Sequence, residues 1–135
     1  MIFLIITMFS WWSATLNLSI SNIKVAKGTM FVAVYNNQPD FLNVSKASLL
    51  QTFPVTQSGK QSFNLPALSP GYYAICCFQD LNGNQRLDTN LFGVPTEPYG
   101  FSRNARPKFR APVWDEACFE IKKDPSPIEI YIASW

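Results

Sequence analysis

The sequence contains no histidine, and this absence limits its chemistry more than any residue that is present. The chain therefore lacks the commonest general base, the usual zinc ligand and the base partner of a serine or cysteine nucleophile. Its three cysteines, Cys76, Cys77 and Cys118, have neither zinc-site spacing nor the Cys-x-x-Cys pattern of a redox centre. Two interpretations remain. Either Cys76 or Cys77 forms a disulfide with Cys118, or the cysteines are buried as small apolar side chains. Most hydrolase mechanisms are excluded.

Strong charge of either sign is also absent. The formal net charge is +2, and lysine and arginine form no continuous run, so nucleic-acid binding is not predicted. A chain of 135 residues, 47% of them hydrophobic, suffices for one domain with a real core. Beyond the amino terminus no segment is long and apolar enough to span a membrane.

The amino terminus bears on the compartment. Residues 1–9 are apolar, and the first charged residue is Lys24. We predict that residues 1–14 are a signal peptide cleaved near Ala14, although basic residues are missing at its start and Trp12 stands where a small residue is preferred. A hydrophobic first strand or a short anchor is the alternative. We expect a secreted or periplasmic protein with its folded domain over residues 15–135.

Alternation of apolar and polar residues dominates the rest of the chain. Leu16, Leu18 and Ile20 alternate with polar residues, which is typical of a half-buried strand. The apolar run from Tyr72 to Gln79 predicts a central strand. The other predicted strands are 29–35, 51–55, 61–65, 117–122 and 127–135. About seven short strands predict an all-β, single-domain antiparallel β-sandwich, immunoglobulin-like or transthyretin-like.

Residues 80–114 interrupt this alternation and are rich in proline and aromatic side chains. An irregular segment of this length is uncommon in a compact domain unless it is functional or held by a bound group. We therefore predict a long ordered insert that packs on the sheet.

The insert begins with short oxygen-bearing side chains at alternate positions between Asp80 and Asp88, a spacing that suits Ca²⁺. The predicted metal ligands are the side chains of Asp80, Asn82, Asn84, Asp88 and Glu97 and the carbonyl of Arg86. Leu91 stands where an EF-hand needs glutamate, so an EF-hand is excluded. In this interpretation Ca²⁺ clamps the loop. In the alternative, Asn82-Gly83 makes a turn while Asp80 and Asp88 accept backbone N–H groups.

Aromatic and basic residues interleave further along the insert, a combination suited to a sugar ring, a polyanionic glycan or an acidic peptide. They are Tyr99, Phe101, Phe109 and Trp114 with Arg103, Arg106, Lys108 and Arg110. We take Tyr99, Phe101, Arg103 and Trp114 as ligand-binding candidates and a glycan or cell-envelope component as the expected partner. Alternatively, the aromatic residues form the private core of the insert and the arginines a solvated rim.

Catalysis is the least favoured interpretation. Asp80, Asp88 and Glu97 would supply the carboxylate pair of a glycosidase. Because their asparagine-rich spacing suits a cation better, we do not predict an enzyme.

Several motifs together resemble a known family. They are Gly71-x-Tyr73-Ala74, the loop from Asp80 to Asp88, the block from Phe92-Gly93 to Gly100-Phe101-Ser102, and Ala117-x-Phe119. This order resembles domain of unknown function 2141, which implies a small exported bacterial β-sandwich and no particular reaction. The chain has Gln85 where the family usually has glycine, so we expect the turn to be made without positive φ. It also has Gln79 where the family commonly has histidine.

Overall fold

The computed structural model describes residues 15–134, which form two packed β-sheets. The strands are β1 (Thr15–Ile23), β2 (Thr29–Tyr35), β3 (Leu49–Pro54), β4 (Gly59–Pro66), β5 (Gly71–Asp80), β6 (Tyr99–Phe101), β7 (Phe119–Ile121) and β8 (Ile128–Tyr131). Helix is limited to α1 (Trp114–Ala117) and to the 3₁₀ turns Val44–Lys46 and Ser102–Asn104. The predicted all-β sandwich is confirmed. The predicted signal segment, 1–14, lies outside the described residues.

The two sheets differ in size and connection. In the first sheet β1 is central, antiparallel to β4 and parallel to β8. The second sheet has the order β3-β2-β5-β6, with β7 paired to the start of β5. The β1–β8 pair departs from the wholly antiparallel expectation. Parallel neighbours need a long crossover, and here the whole second sheet lies between them in sequence.

The core lies between the sheets and follows the predicted alternation. Its fully buried members include Leu18, Ile20, Met30, Val32, Val34, Leu65, Ile75, Ile130 and Ile132. Burying each such side chain stabilises the fold by about 1.5–3 kcal/mol. Interdigitation of these residues fixes which face of each strand points inward.

The second sheet is apolar on its outer face as well. Strand register places Phe31, Ala33 and Tyr35 of β2 beside Phe78, Cys76 and Ala74 of β5, and β6 adds Tyr99 and Phe101. Because both faces of this sheet are covered, β5 is a nearly continuous apolar run. Its predicted central position is confirmed.

Strand β6 lies inside the segment for which no strand was predicted. It pairs with residues 76–78 of β5 but has only three residues, too few to show alternation. Its middle residue must be small, because a Cβ on Gly100 would lie 2.6 Å from the carbonyl oxygen of Tyr131. Among residues 15–134, no helix has the length and apolar character needed to cross a membrane.

Candidate functional site: an apolar cavity beneath the insert

A cavity of about 790 Å³ lies between the outer face of the second sheet and the insert. Its floor is formed by Phe31, Ala33, Tyr35, Cys76 and Phe78, and Val94, Pro95, Pro107 and Pro112 stand among its walls. The size and the mainly apolar lining are those of a small-molecule site. Since the sheet forms one whole side, this side of the cavity is rigid.

Aromatic contacts order the floor. The Phe31 and Phe78 rings stack with centroids 5.0 Å apart and planes 11° apart. Tyr99 and Phe101 meet edge to face with centroids 5.9 Å apart. Each geometry is a favourable aromatic arrangement.

Two polar groups interrupt the apolar floor. The buried Tyr35 hydroxyl has no partner of hydrogen-bond geometry among the described residues, although the Cys76 thiol is close enough to influence its pKa. Burial, more than this neighbour, raises the pKa of Tyr35 above its usual range. Burial also raises the pKa of the Cys76 thiol to about 11, so the thiol is protonated at neutral pH. Both groups are therefore uncharged at neutral pH, and they place no charge on the floor.

Arg106 is a fixed part of the cavity wall. Its guanidinium carbon lies 4.2 Å from the centroid of the Tyr99 ring. One guanidinium nitrogen donates to the Tyr99 carbonyl at 3.0 Å, and another donates to the Ala133 carbonyl at 2.6 Å. Because these donors are engaged, Arg106 supports the wall and is not poised for an anionic ligand.

The four predicted ligand-binding residues do not share one surface. Tyr99 and Phe101 line the cavity. Arg103 instead donates to the Asp115 carbonyl at 2.8 Å, and the Trp114 ring packs edge-on against Phe41 at 5.8 Å. The alternative of a private aromatic contact thus describes Trp114, whereas Tyr99 and Phe101 contact each other at the border of the cavity.

The mouth of the cavity is lined by Phe92 and Phe109, which were predicted to lie in the insert, and by residues outside the insert that were not assigned to a site. Exposed apolar side chains there include Leu42, Val44, Leu50, Phe92 and Phe109. Val44 lies in the 3₁₀ turn Val44–Lys46, and Leu50 lies in β3. Their nearness to the insert depends on sheet order, so no local pattern indicated it.

The loop from Asp80 to Asp88 forms a hydrogen-bonded turn. Asp80 accepts the backbone N–H groups of Gly83 at 3.0 Å and Gln85 at 2.9 Å. Asp88 accepts the side-chain amides of Asn82 and Asn84, which lower the pKa of its carboxyl. The turn alternative therefore describes Asp80, while Asp88 is held by side chains.

Glu97 closes this turn from the other end of the insert. It is 5% exposed, and its two carboxylate oxygens accept the backbone N–H groups of Leu81 at 2.6 Å and Asp88 at 3.2 Å. Glu97, which was predicted as a metal ligand, is thus hydrogen-bonded to the acidic loop. Neither Glu97 nor the two aspartates line the cavity.

The donor set suits calcium, but its arrangement is not a coordination sphere. Asn82 and Asn84 turn their amide nitrogens, not their oxygens, toward Asp88. Within residues 15–134, no three or more His, Cys, Asp or Glu side chains are grouped to hold a metal ion. Both amides would have to rotate for a Ca²⁺ site to form, and calcium binding stays a prediction.

The two glutamines that depart from the resembled family have structural roles. Gln85 adopts φ +64°, so the expectation of a turn without positive φ is wrong. Gln79 is 1% exposed, and its amide donates to the carbonyls of Val25 and Lys27, both at 2.8 Å. Gln79 therefore ties the β1–β2 turn to the end of β5.

The three cysteines are free. Burial raises the pKa of Cys77 and Cys118 as it does that of Cys76. All three are therefore weakly nucleophilic, since the thiolate is the reactive form.

Comparison with known proteins places the chain in a family. No curated protein and no solved structure matches it. The model of a family described as "Uncharacterized protein conserved in bacteria (DUF2141)" matches residues 18–129, which include the second sheet, the insert and all of the cavity. The chain therefore belongs to the DUF2141 family.

Proposed function

We propose that this protein is a binding module that holds an apolar small molecule between its second sheet and its insert. The observation that carries the proposal is the cavity of about 790 Å³ with its mainly apolar lining. Filling this space would remove apolar surface of ligand and protein from water, at about 25 cal/mol per Å².

Binding without catalysis agrees with the composition of the site. The described residues that line the cavity include no carboxylate, and the sequence has no histidine. The cavity thus lacks the usual proton-transfer groups. A secreted or periplasmic location is part of the proposal and is supported by the apolar residues 1–9.

A fluorescent fatty acid whose emission rises in apolar surroundings tests the cavity directly. We expect saturable binding by the wild type and at least tenfold weaker binding by Ala33→Phe, whose ring would occupy the floor between Leu50 and Cys76. Val25→Phe adds the same ring to an exposed position outside the cavity and should bind as the wild type does.

The same assay separates this proposal from glycan or peptide binding. Oligosaccharides and acidic peptides should not displace the fatty acid. Displacement by either, or equal binding by Ala33→Phe and the wild type with both folded by circular dichroism, would contradict an apolar-ligand site.

Calcium binding by the acidic loop is a second, independent proposal, favoured by the position of Glu97, whose carboxylate accepts the backbone N–H groups of Leu81, next to Asp80, and of Asp88. Millimolar Ca²⁺ should raise the melting temperature and a chelator should lower it, with Asp80→Ala abolishing the response. Asp124→Ala, which removes an exposed carboxylate between β7 and β8, is the matched control. An unchanged melting curve in the wild type rejects the metal and leaves the loop as a turn.

A further inference from the structure

A short hairpin in the insert, which we call the finger (residues 88–96), carries two large apolar side chains into solvent. Leu91 is 100% exposed and Phe92 is 89% exposed. Such an exposed Leu-Phe pair gains little from folding, because most of its apolar surface stays in water. The exposure of this pair at the end of a projecting turn therefore indicates contact with a partner outside the domain.

The finger is ordered along its length. Thr89 and Pro95 form an antiparallel bridge, and the N–H of Asn90 donates to the Val94 carbonyl at 2.8 Å. At its base the N–H of Thr96 donates to the Asp88 carbonyl at 2.8 Å. The two strands of the finger are thus held together from base to tip.

Side-chain bonds also fix the tip. The Asn90 carboxamide oxygen accepts the N–H groups of Phe92 at 2.8 Å and Val94 at 3.1 Å. Gly93, with φ +75°, closes the turn by donating to the Asn90 carbonyl at 3.0 Å. Leu91 and Phe92 are thus presented on a preorganised turn, which reduces the entropy cost of docking.

The exposed apolar surface continues from the finger around the cavity mouth. Phe92 belongs both to the tip and to the mouth, where Val44 is 59% exposed, Leu50 is 49% exposed and Phe109 is 89% exposed. Contiguous exposed apolar surface of this kind marks a site of interaction with a protein or a membrane.

Three cations lie in segments that contribute to this surface, and they favour an anionic partner. Arg86 lines the cavity, Lys108 adjoins Phe109, and Lys46 closes the 3₁₀ turn that begins at Val44. The ion pairs among residues 15–134 are Lys60–Glu129 and Arg110–Glu116, so none of these three cations forms an ion pair there, although Arg86 is close enough to Asp88 to help lower the pKa of that carboxyl. The nearby carboxylates of Asp88 and Glu97 are directed into the loop.

We propose that the finger and the mouth of the cavity dock on an anionic lipid bilayer. Leu91 and Phe92 enter the boundary between headgroups and acyl chains, while Arg86, Lys108 and Lys46 contact lipid phosphates, each cation favouring a negative surface. This orientation would direct the cavity mouth toward the lipid. The proposal extends beyond ligand binding and does not depend on it.

A reporter in the finger provides the test. Phe92→Trp in the full chain is mixed with vesicles of phosphatidylcholine containing about one third phosphatidylglycerol, with and without bromine on the acyl chains. Relative to the wild type, whose four tryptophans give the background, we expect an additional blue shift and additional bromine quenching from the added tryptophan, and much less of both with phosphatidylcholine alone. Tyr131→Trp, at an exposed position of β8 in the other sheet, is the matched control and should show neither.

A second pair of variants measures the contribution of the tip. Leu91→Asp should lower vesicle partitioning more than tenfold, and Val25→Asp, which also charges an exposed apolar position, should not. Leu91 does not line the cavity, so fatty-acid binding by Leu91→Asp should equal that of the wild type. Fatty-acid binding that is lost in Ala33→Phe but kept in Leu91→Asp would show that the cavity and the finger tip act as separate sites.

Three outcomes would overturn the docking proposal. They are absence of quenching at position 92 on anionic vesicles, equal quenching on neutral vesicles, and equal partitioning of Leu91→Asp and wild type. Attachment through the apolar residues 1–9 alone would give the first of these, because the reporter would remain in water.

Discussion

Gln85 occupies a left-handed backbone conformation, φ +64°, that residues with a Cβ rarely adopt. This conformation costs a non-glycine residue about 1–2 kcal/mol. The surrounding loop maintains it because the Gln85 N–H donates to the Asp80 carboxylate at 2.9 Å. Hydrogen bonding to a buried carboxylate therefore takes the place of the conformational freedom of glycine.

Glycine at this position should stabilise the protein. Gln85→Gly would relieve the backbone strain but lose about 0.5–1 kcal/mol through the greater freedom of the unfolded chain. We expect a net gain of about 0.5 kcal/mol in the free energy of unfolding, measured with urea. Gln57→Gly, at an exposed position without positive φ, should instead destabilise. A lower free energy of unfolding in both variants would show that the turn imposes no strain on Gln85.

Asp88 should contribute to stability in a pH-dependent way. Hydrogen bonds from Asn82 and Asn84 lower the pKa of its carboxyl below the ordinary 3.8. A group with a lowered pKa in the folded state stabilises the fold above its unfolded pKa, and this contribution is lost as pH falls through the folded pKa. Urea unfolding should therefore show wild type to be more stable than Asp88→Asn at neutral pH, with the difference shrinking well below pH 3.8. A pH-independent difference would contradict this linkage, and Asp124→Asn is the exposed control.

At the scale of elements, the acidic loop serves as the base of the finger. Asp88 begins the finger and also accepts the amides of Asn82 and Asn84. Glu97 follows the finger. Its carboxylate accepts the backbone N–H groups of Leu81 in the loop and of Asp88 in the finger, and so connects the two. The polar residues that suggested a cation site therefore act together to orient the Leu91–Phe92 tip.

Removal of this carboxylate should loosen the finger. Glu97→Ala deletes two charge-assisted acceptors, each worth about 1.5–3 kcal/mol, and we expect a loss of about 3 kcal/mol in the free energy of unfolding. Amide hydrogen exchange at Leu81 and Asp88 should accelerate more than exchange in β5. Glu120→Ala, at an exposed position of β7, should change stability by less than about 0.5 kcal/mol. Unchanged exchange at both amides would show that Glu97 is not the connection.

Elements with regular alternation were predictable from sequence. The predicted strand 29–35 agrees with the observed bounds of β2, and β5 extends its predicted run by one residue at each end. The three-residue β6 was not predicted, because its pairing with β5 depends on the path of the intervening loop. Tyr99 and Phe101, which line the cavity, were predicted as ligand-binding candidates, but Ala33 and Leu50 were not, because strand register alone places Ala33 between Leu50 and Cys76.

At the scale of the whole molecule, the second sheet separates two apolar spaces. One is the close-packed core against the first sheet, and the other is the cavity under the insert. The edge of β6 connects these layers, where Tyr99 and Ala133 exchange backbone hydrogen bonds of 3.1 Å and 3.0 Å. The insert thus attaches to the same edge that closes the sandwich.

Arg106 reinforces this edge, and its removal should weaken stability and ligand binding together. Its guanidinium joins the carbonyls of Tyr99 and Ala133 while lying over the Tyr99 ring. We expect Arg106→Ala to lower the free energy of unfolding by about 2 kcal/mol, and Arg106→Lys to restore little because an ammonium lacks the planar fork.

Lys108→Ala is the matched control, since Lys108 is an exposed cation of the same segment with no ion pair among residues 15–134. It should leave both the urea midpoint and the fatty-acid affinity near those of the wild type. Because the Tyr99 ring lines the cavity beneath the guanidinium, Arg106→Ala should also bind the fatty acid more weakly at temperatures where it is fully folded. Wild-type affinity in a destabilised Arg106→Ala would mean that the edge supports the sandwich but not the cavity wall.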